Sequence, residues 1–105
     1  MDITDWRKKI DEIDKKLVEL IGERARAARE IGKLKQDTRL PIYEPDREKE
    51  VFDNVVSANR GPLPNRDLLH IYERLMDVMR KFQRDEAAPA SSPGRDTELE
   101  ADTND

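Results

Sequence analysis

Five polar side chains in this 105-residue chain stand out for their places among apolar neighbours and are of the kinds that grip anions or donate hydrogen bonds, Arg7, Arg24, Lys35, Arg47 and Gln83, and a sixth, Glu48, accepts them. Four of them fall on helical stripes that are otherwise apolar. Arg24 lies between Leu17, Leu20, Ala28 and Ile31, and Lys35 is in line with Leu17 and Arg24. Glu48 comes one turn before Val51, Phe52 and Val55, and Gln83 falls within the arc of Tyr72, Met76 and Met79. Residues three and four apart on a helix share a face, so all four side chains are expected to point inward.

A buried Lys, Arg or Glu is costly unless it is paired. Taken singly, each of these residues is explained by pairing within the set: Glu48 neutralises Arg24 or Lys35, and long basic chains at the stripe ends reach out to water. Taken together they are not. One carboxylate cannot balance two cations, and Arg7 and Arg47 sit at the edges of the same faces. The surplus positive charge calls for a small anionic ligand with more than one carboxylate, which guanidinium and ammonium groups bind well in a dry pocket. Arg24 and Lys35 are separated by about 16 Å along the helix axis, so their side chains must lean towards each other.

The chemistry open to such a pocket is narrow. The chain has no cysteine and a single histidine, which excludes thiolate sites and argues against zinc or haem, so no metal or cofactor is expected. It has no glycine-rich phosphate loop, and His70 lies on the side of its helix opposite Tyr72 and Met79, facing solvent. Binding, orientation and electrostatic stabilisation remain, and they suffice for a reaction that needs no proton transfer.

Three blocks of helical periodicity must position these residues, which predicts an all-α fold of three helices per chain, one of them long. The first block runs from about Asp5 to Gln36, with Trp6, Ile10, Ile13, Leu17, Leu20, Ile21, Ala28 and Ile31 on one face. The second opens near Pro45, a residue favoured in a first helical turn, carries Val51, Phe52, Val55 and Val56, and ends at the sequence NRGPLPN. The third starts with Asn65 as its expected cap and shows Leu68, Tyr72, Leu75, Met76, Met79 and Phe82. No strand-like alternation and no internal repeat is visible.

The first helix would be roughly 45 to 50 Å long, far more than a compact body of this size, whose radius of gyration is about 12 Å, can cover. Another chain must cover part of its stripe. An intertwined homodimer is the expected solution, ahead of a plain coiled coil.

Composition bounds the rest. With 42% charged and 35% hydrophobic residues, one domain with a thin core is expected. The domain is placed at residues 1–86, followed by an acidic, Pro- and Ser-containing tail at 87–105 that reads as disordered. The tail holds five carboxylates and one arginine, so the 24 acidic and 20 basic residues of the chain fall to 19 of each in the body. A neutral body argues against nucleic acid as a partner. The chain start offers no apolar run long enough for a signal peptide or a membrane span, so a cytoplasmic protein with no membrane partner is expected.

The ordered set of Arg7, the pair Glu23 and Arg24, the run IGKLK ending in Lys35, the triplet Asp46, Arg47 and Glu48, and Gln83 resembles the all-helical, intertwined-dimer chorismate mutase family, from about Trp6 to Gln83. The resemblance implies a cofactor-free 3,3-rearrangement of chorismate to prephenate in aromatic amino-acid biosynthesis. It implies that Arg24, Arg47 and the other subunit's Arg7 hold the two substrate carboxylates. Lys35 and Gln83 would bond the ether oxygen, where negative charge grows, and Glu48 would take the ring hydroxyl. Met79 departs from the pattern, since many relatives have a small hydroxyl residue there. An isochorismate pyruvate lyase shares the fold but is expected to be apolar at Glu48. A non-catalytic helical partner of another shikimate-pathway enzyme would leave the inward polar set without a purpose. Association with such an enzyme is compatible with catalysis.

Overall fold

The computed structural model describes residues 1–87 and contains three helices in this order: α1 (Ile3–Thr38), α2 (Pro45–Ala58) and α3 (Asn65–Ala87). The expected tail at 87–105 lies outside the described residues apart from Ala87, which ends α3. Among the described residues there is no strand, and no helix is long and apolar enough to cross a membrane.

α1 is longer than its apolar periodicity indicates because both of its ends are capped. Asp2 accepts a hydrogen bond from the Asp5 amide at 3.0 Å, and the Asp5 side chain accepts one from the Asp2 amide at 3.3 Å. This reciprocal box satisfies donors that would otherwise be orphaned at the helix start. At the other end Arg39 takes a left-handed conformation at φ 60°, with its amide donating to Gln36, while the Leu40 amide donates to the Lys35 carbonyl at 2.8 Å. The chain therefore reverses immediately after the helix, which brings residues 42 to 44 back alongside Lys35.

α2 starts with Pro45 in its first turn, as its fixed φ favours. Asn65, expected to cap α3, is instead its first helical residue. The Pro64 carbonyl accepts from the Asp67 and Leu68 amides, both at 3.1 Å, and the Asn65 side chain accepts from Asn59 Nδ2 at 2.8 Å. The cap position is shifted by one because Asn59 at the end of α2 engages Asn65 to close the intervening loop.

α3 packs against both α1 and α2. The buried apolar side chains are few: Ala28 on α1, and Met76 and Met79 on α3. Gly32 is also buried against α3, where a Cβ would lie 3.5 Å from Gln83, an ordinary contact. The structure extends over 52 Å, close to the roughly 54 Å that 36 helical residues span. Towards its N-terminus α1 projects past the other helices. Trp6 and Ile10 are each 55% exposed there and Leu17 is 50% exposed, so the apolar stripe of α1 is bare in the single chain.

Candidate active site

The inward-facing polar residues come together where the C-terminal half of α1, the start of α2 and the last turns of α3 meet. They surround a cleft of about 410 Å³. Arg24 and Lys35 reach it from α1, Arg47 and Glu48 from α2, and Gln83 from α3. Ala28, Ile31, Val51, Met76 and Met79 supply its apolar surface. Arg7 does not join them. It is exposed on α1, about 25 Å from Arg24 along the helix axis, and cannot reach the cleft of its own chain.

Pairing inside the cleft differs from the sequence expectation that Glu48 neutralises Arg24 or Lys35. Glu48 is bonded to Arg80 of α3, whose Nε and Nη2 both donate to Glu48 Oε2, at 3.1 and 2.6 Å. Lys35 is paired with Glu44 and also donates to the Ile42 carbonyl at 3.2 Å. The reason is packing: α2 lies on α3, so Glu48 meets a cation of α3, while the reversed chain after α1 delivers Glu44 to Lys35. Glu44 occupies the cap position of α2 without capping it, its carboxylate being turned to the lysine.

These pairs decide the charge of the cleft. Arg24, Lys35, Arg47 and Arg80 face it with Glu44 and Glu48, four cations against two carboxylates. Arg47 also reaches Glu50 at 3.2 Å, in an exposed contact worth little in water. Arg24 is half-buried and makes no ion pair or side-chain hydrogen bond among the described residues. Two positive charges are left over, which matches a ligand with two carboxylates.

Gln83 donates from Nε2 to the Ala28 carbonyl at 2.7 Å, across the α1–α3 contact. An amide nitrogen carries two N–H groups, so one remains beyond this bond. The Lys35 ammonium has three, and after Glu44 and Ile42 one remains there too. Met79 is buried beside the cleft and presents an apolar contact. His70 is exposed, as its helix position indicated.

Sequence reasoning missed Arg80 and Glu44. Arg80 is one turn after Met76 and one before Gln83, so it lies in the apolar arc of α3 and helical spacing alone could have found it. Its guanidinium is further held by Asp77 at 3.2 Å and stands 4.9 Å from the centre of the Tyr43 ring. The hydrogen bonds to Glu48 raise the Arg80 pKa above its ordinary value against the opposing effect of burial, helped by the charges of Glu48 and Asp77. The guanidinium therefore stays charged at every accessible pH. Glu44 carries no such periodic signal, because it belongs to the loop.

Residues 6–84 match the family described as chorismate mutase type II. The chain is 33% identical over 87 residues to a bifunctional chorismate mutase/prephenate dehydratase of Aquifex aeolicus, an alignment covering 79% of this chain and 24% of that protein. It is 42% identical over 53 residues to a chorismate mutase of Methanocaldococcus jannaschii, covering 50% of this chain and 54% of the relative. The chain thus spans about a quarter of the length of the bifunctional relative. Among solved structures, the form II chorismate mutase from Thermus thermophilus superposes with a TM-score of 0.76 at 28% identity, covering 78% of this chain and 93% of that one. The Helicobacter pylori chorismate mutase in complex with prephenate gives 0.75 at 29% identity, covering 81% and 92%. With the helical order, the cleft and these likenesses in agreement, the chain belongs to the chorismate mutase type II family.

Proposed function

We propose that residues 1–86 catalyse the cofactor-free rearrangement of chorismate to prephenate, as an intertwined homodimer acting in cytoplasmic aromatic amino-acid biosynthesis. The observation that carries this reading is the charge of the cleft: two cations in excess, one of them the half-buried and unpaired Arg24. A dicarboxylate supplies the missing negative charge.

In this reading Arg24 binds one substrate carboxylate with help from Arg47, and Arg7 of the partner subunit closes on the other. The bare stripe around Trp6, Ile10 and Leu17 is the surface by which the two long helices embrace, which carries each Arg7 to the other chain's cleft. The remaining N–H groups of Lys35 and Gln83 serve the ether oxygen, where charge develops as the C–O bond breaks. Donors that strengthen with that charge stabilise the transition state more than the ground state. Glu48 accepts from the ring hydroxyl. The cations and apolar walls hold the folded conformer in which the reacting carbons approach. Met79 gives a carboxylate no hydrogen bond, so more of the binding falls on the cations.

Since some family members are joined to a prephenate dehydratase, an enzyme that consumes the product is the fitting partner. The deciding experiment is to incubate purified protein with chorismate, follow the loss of its absorbance and identify the product. Prephenate is expected. Pyruvate with an aromatic acid, or no turnover, would overturn the assignment.

A further inference from the structure

We propose that Arg80 is a positioning residue that aims the Glu48 carboxylate into the cleft and keeps it away from the substrate-binding cations; this rests on the role given above to Glu48. Both donors from Arg80 end on the same oxygen, Oε2, at 3.1 and 2.6 Å, which leaves Oε1 to accept a ligand hydroxyl. The arginine is itself fixed from other directions, by Asp77 at 3.2 Å and by the face of Tyr43 at 4.9 Å. Its side chain is 18% exposed and that of Glu48 24%. Charge-assisted bonds in so sheltered a place hold geometry better than surface pairs do.

The second consequence is electrostatic. Glu48 shares the cleft with Arg24, Lys35 and Arg47, any of which would attract a mobile carboxylate. A Glu48 captured by one of them would cancel a charge that the anionic ligand needs and would turn away from the hydroxyl. Arg80 stands in the wall between this cleft and a second cavity of about 570 Å³ lined by Tyr43, Phe52, Glu73 and Asp77. It thus draws Glu48 towards α3, away from the cations of α1.

The test is a double-mutant cycle on the full chain with Arg80→Leu, Glu48→Gln and the combination, plus Arg80→Lys, measuring kcat and KM for chorismate with thermal midpoints as a folding control. Arg80→Leu is expected to lower kcat/KM at least about tenfold, since a small misplacement of a binding group is costly. Arg80→Lys should recover part of the loss, having one ammonium in place of two converging donors. In the Glu48→Gln background Arg80→Leu should cost less than about twofold, because the carboxylate that it positions is gone. An equal loss in both backgrounds would mean that Arg80 acts on substrate or fold directly, and wild-type kinetics in Arg80→Leu would mean that it does nothing here. Either result overturns the proposal. Should Arg80→Leu fail to fold, Arg80→Gln takes its place, and wild-type kinetics in it, or an equal loss from it with and without Glu48→Gln, overturns the proposal in the same way. If Glu48→Gln alone is silent, the role of Glu48 itself fails, whatever Arg80 does.

Discussion

Gln83 and Ala28 are joined across the helix interface: the Gln83 Nε2 donates to the Ala28 backbone carbonyl at 2.7 Å, tying α3 to α1 beside the cleft. The glutamine is thereby held as a donor, because its other possible orientation would set an amide oxygen against a carbonyl oxygen. Its second N–H is left over beside the cleft.

Replacement of Gln83 by glutamate converts this fixed donor into a titrating one. Only the protonated carboxyl donates, whereas the carboxylate would face the Ala28 carbonyl and a substrate oxygen with acceptors alone. Activity of Gln83→Glu should therefore be highest in acid and fall as the pH rises through the pKa of the new group, while the wild-type rate keeps this donor throughout. The measurement is kcat/KM for both proteins between pH 5 and pH 8. A variant equally active at both ends contradicts the donor role.

The neighbouring Gly32 gives a stability prediction. A Cβ there meets Gln83 Cβ and Cγ at 3.5 Å, an ordinary contact, and the backbone is helical, so nothing in the position requires glycine. Gly32→Ala should stabilise the protein by about 0.5 to 1 kcal/mol through reduced backbone entropy in the unfolded chain. A rise of a few degrees in Tm with unchanged kcat is the expected outcome. A fall in Tm would show that the helices pack more tightly there than these distances allow.

Arg39 is the opposite case. It ends α1 at φ 60°, a region that costs a non-glycine residue about 1 to 2 kcal/mol, and its side chain is exposed. Arg39→Gly relieves that cost but enlarges the freedom of the unfolded chain, so a net gain of about 0.5 kcal/mol is expected. Thermal melts of the two proteins at one concentration decide it, and a lower Tm for Arg39→Gly would assign the Arg39 side chain a stabilising role.

What the sequence disclosed and what it withheld follow from the range of the interactions. The three helices were legible because Leu17, Ala28, Met76, Met79 and their neighbours repeat at helical spacing, and Arg24, Lys35, Glu48 and Gln83 stood out as polar interruptions of that repeat. The ends were less so: the Asp2–Asp5 box and the left-handed Arg39 lie outside the apolar stripe and extend α1 at both ends. Pairing was the least legible. Glu48 and Arg80 are 32 residues apart and meet only because α2 lies on α3, and Glu44 reaches Lys35 only because the chain reverses at Arg39. Helical spacing shows which face a side chain occupies, whereas its partner is settled by the packing of separate elements.

The cations of α1 should prove functional more than structural. Arg24 has no pair to lose among the described residues, and the partner of Lys35, Glu44, is half exposed, so neither Arg24→Ala nor Lys35→Ala leaves a buried orphan charge. Each should keep its circular dichroism spectrum and melt near the wild-type temperature. Loss of a donor aimed at developing charge typically costs about 10²- to 10³-fold in kcat, and Lys35→Ala should show that loss. Arg24→Ala should lower kcat/KM by a similar factor, mainly through substrate binding. Near-normal kcat/KM in either variant removes that residue from the site.

The distance between Arg7 and Arg24, about 25 Å along one helix, makes the shared site testable by complementation. Arg7→Ala and Arg24→Ala should each be nearly inactive alone, since every site then lacks one cation. Mixed under conditions of subunit exchange, they form heterodimers in which the cleft of the Arg7→Ala chain keeps its own Arg24 and receives the intact Arg7 of the partner subunit. The other cleft lacks both. Random pairing makes half the dimers mixed, each with one whole site, so about a quarter of wild-type activity should return. Exchange demonstrated by mass without any recovery would mean that Arg7 serves no cleft across the dimer, and the bare stripe of α1 would then need another explanation.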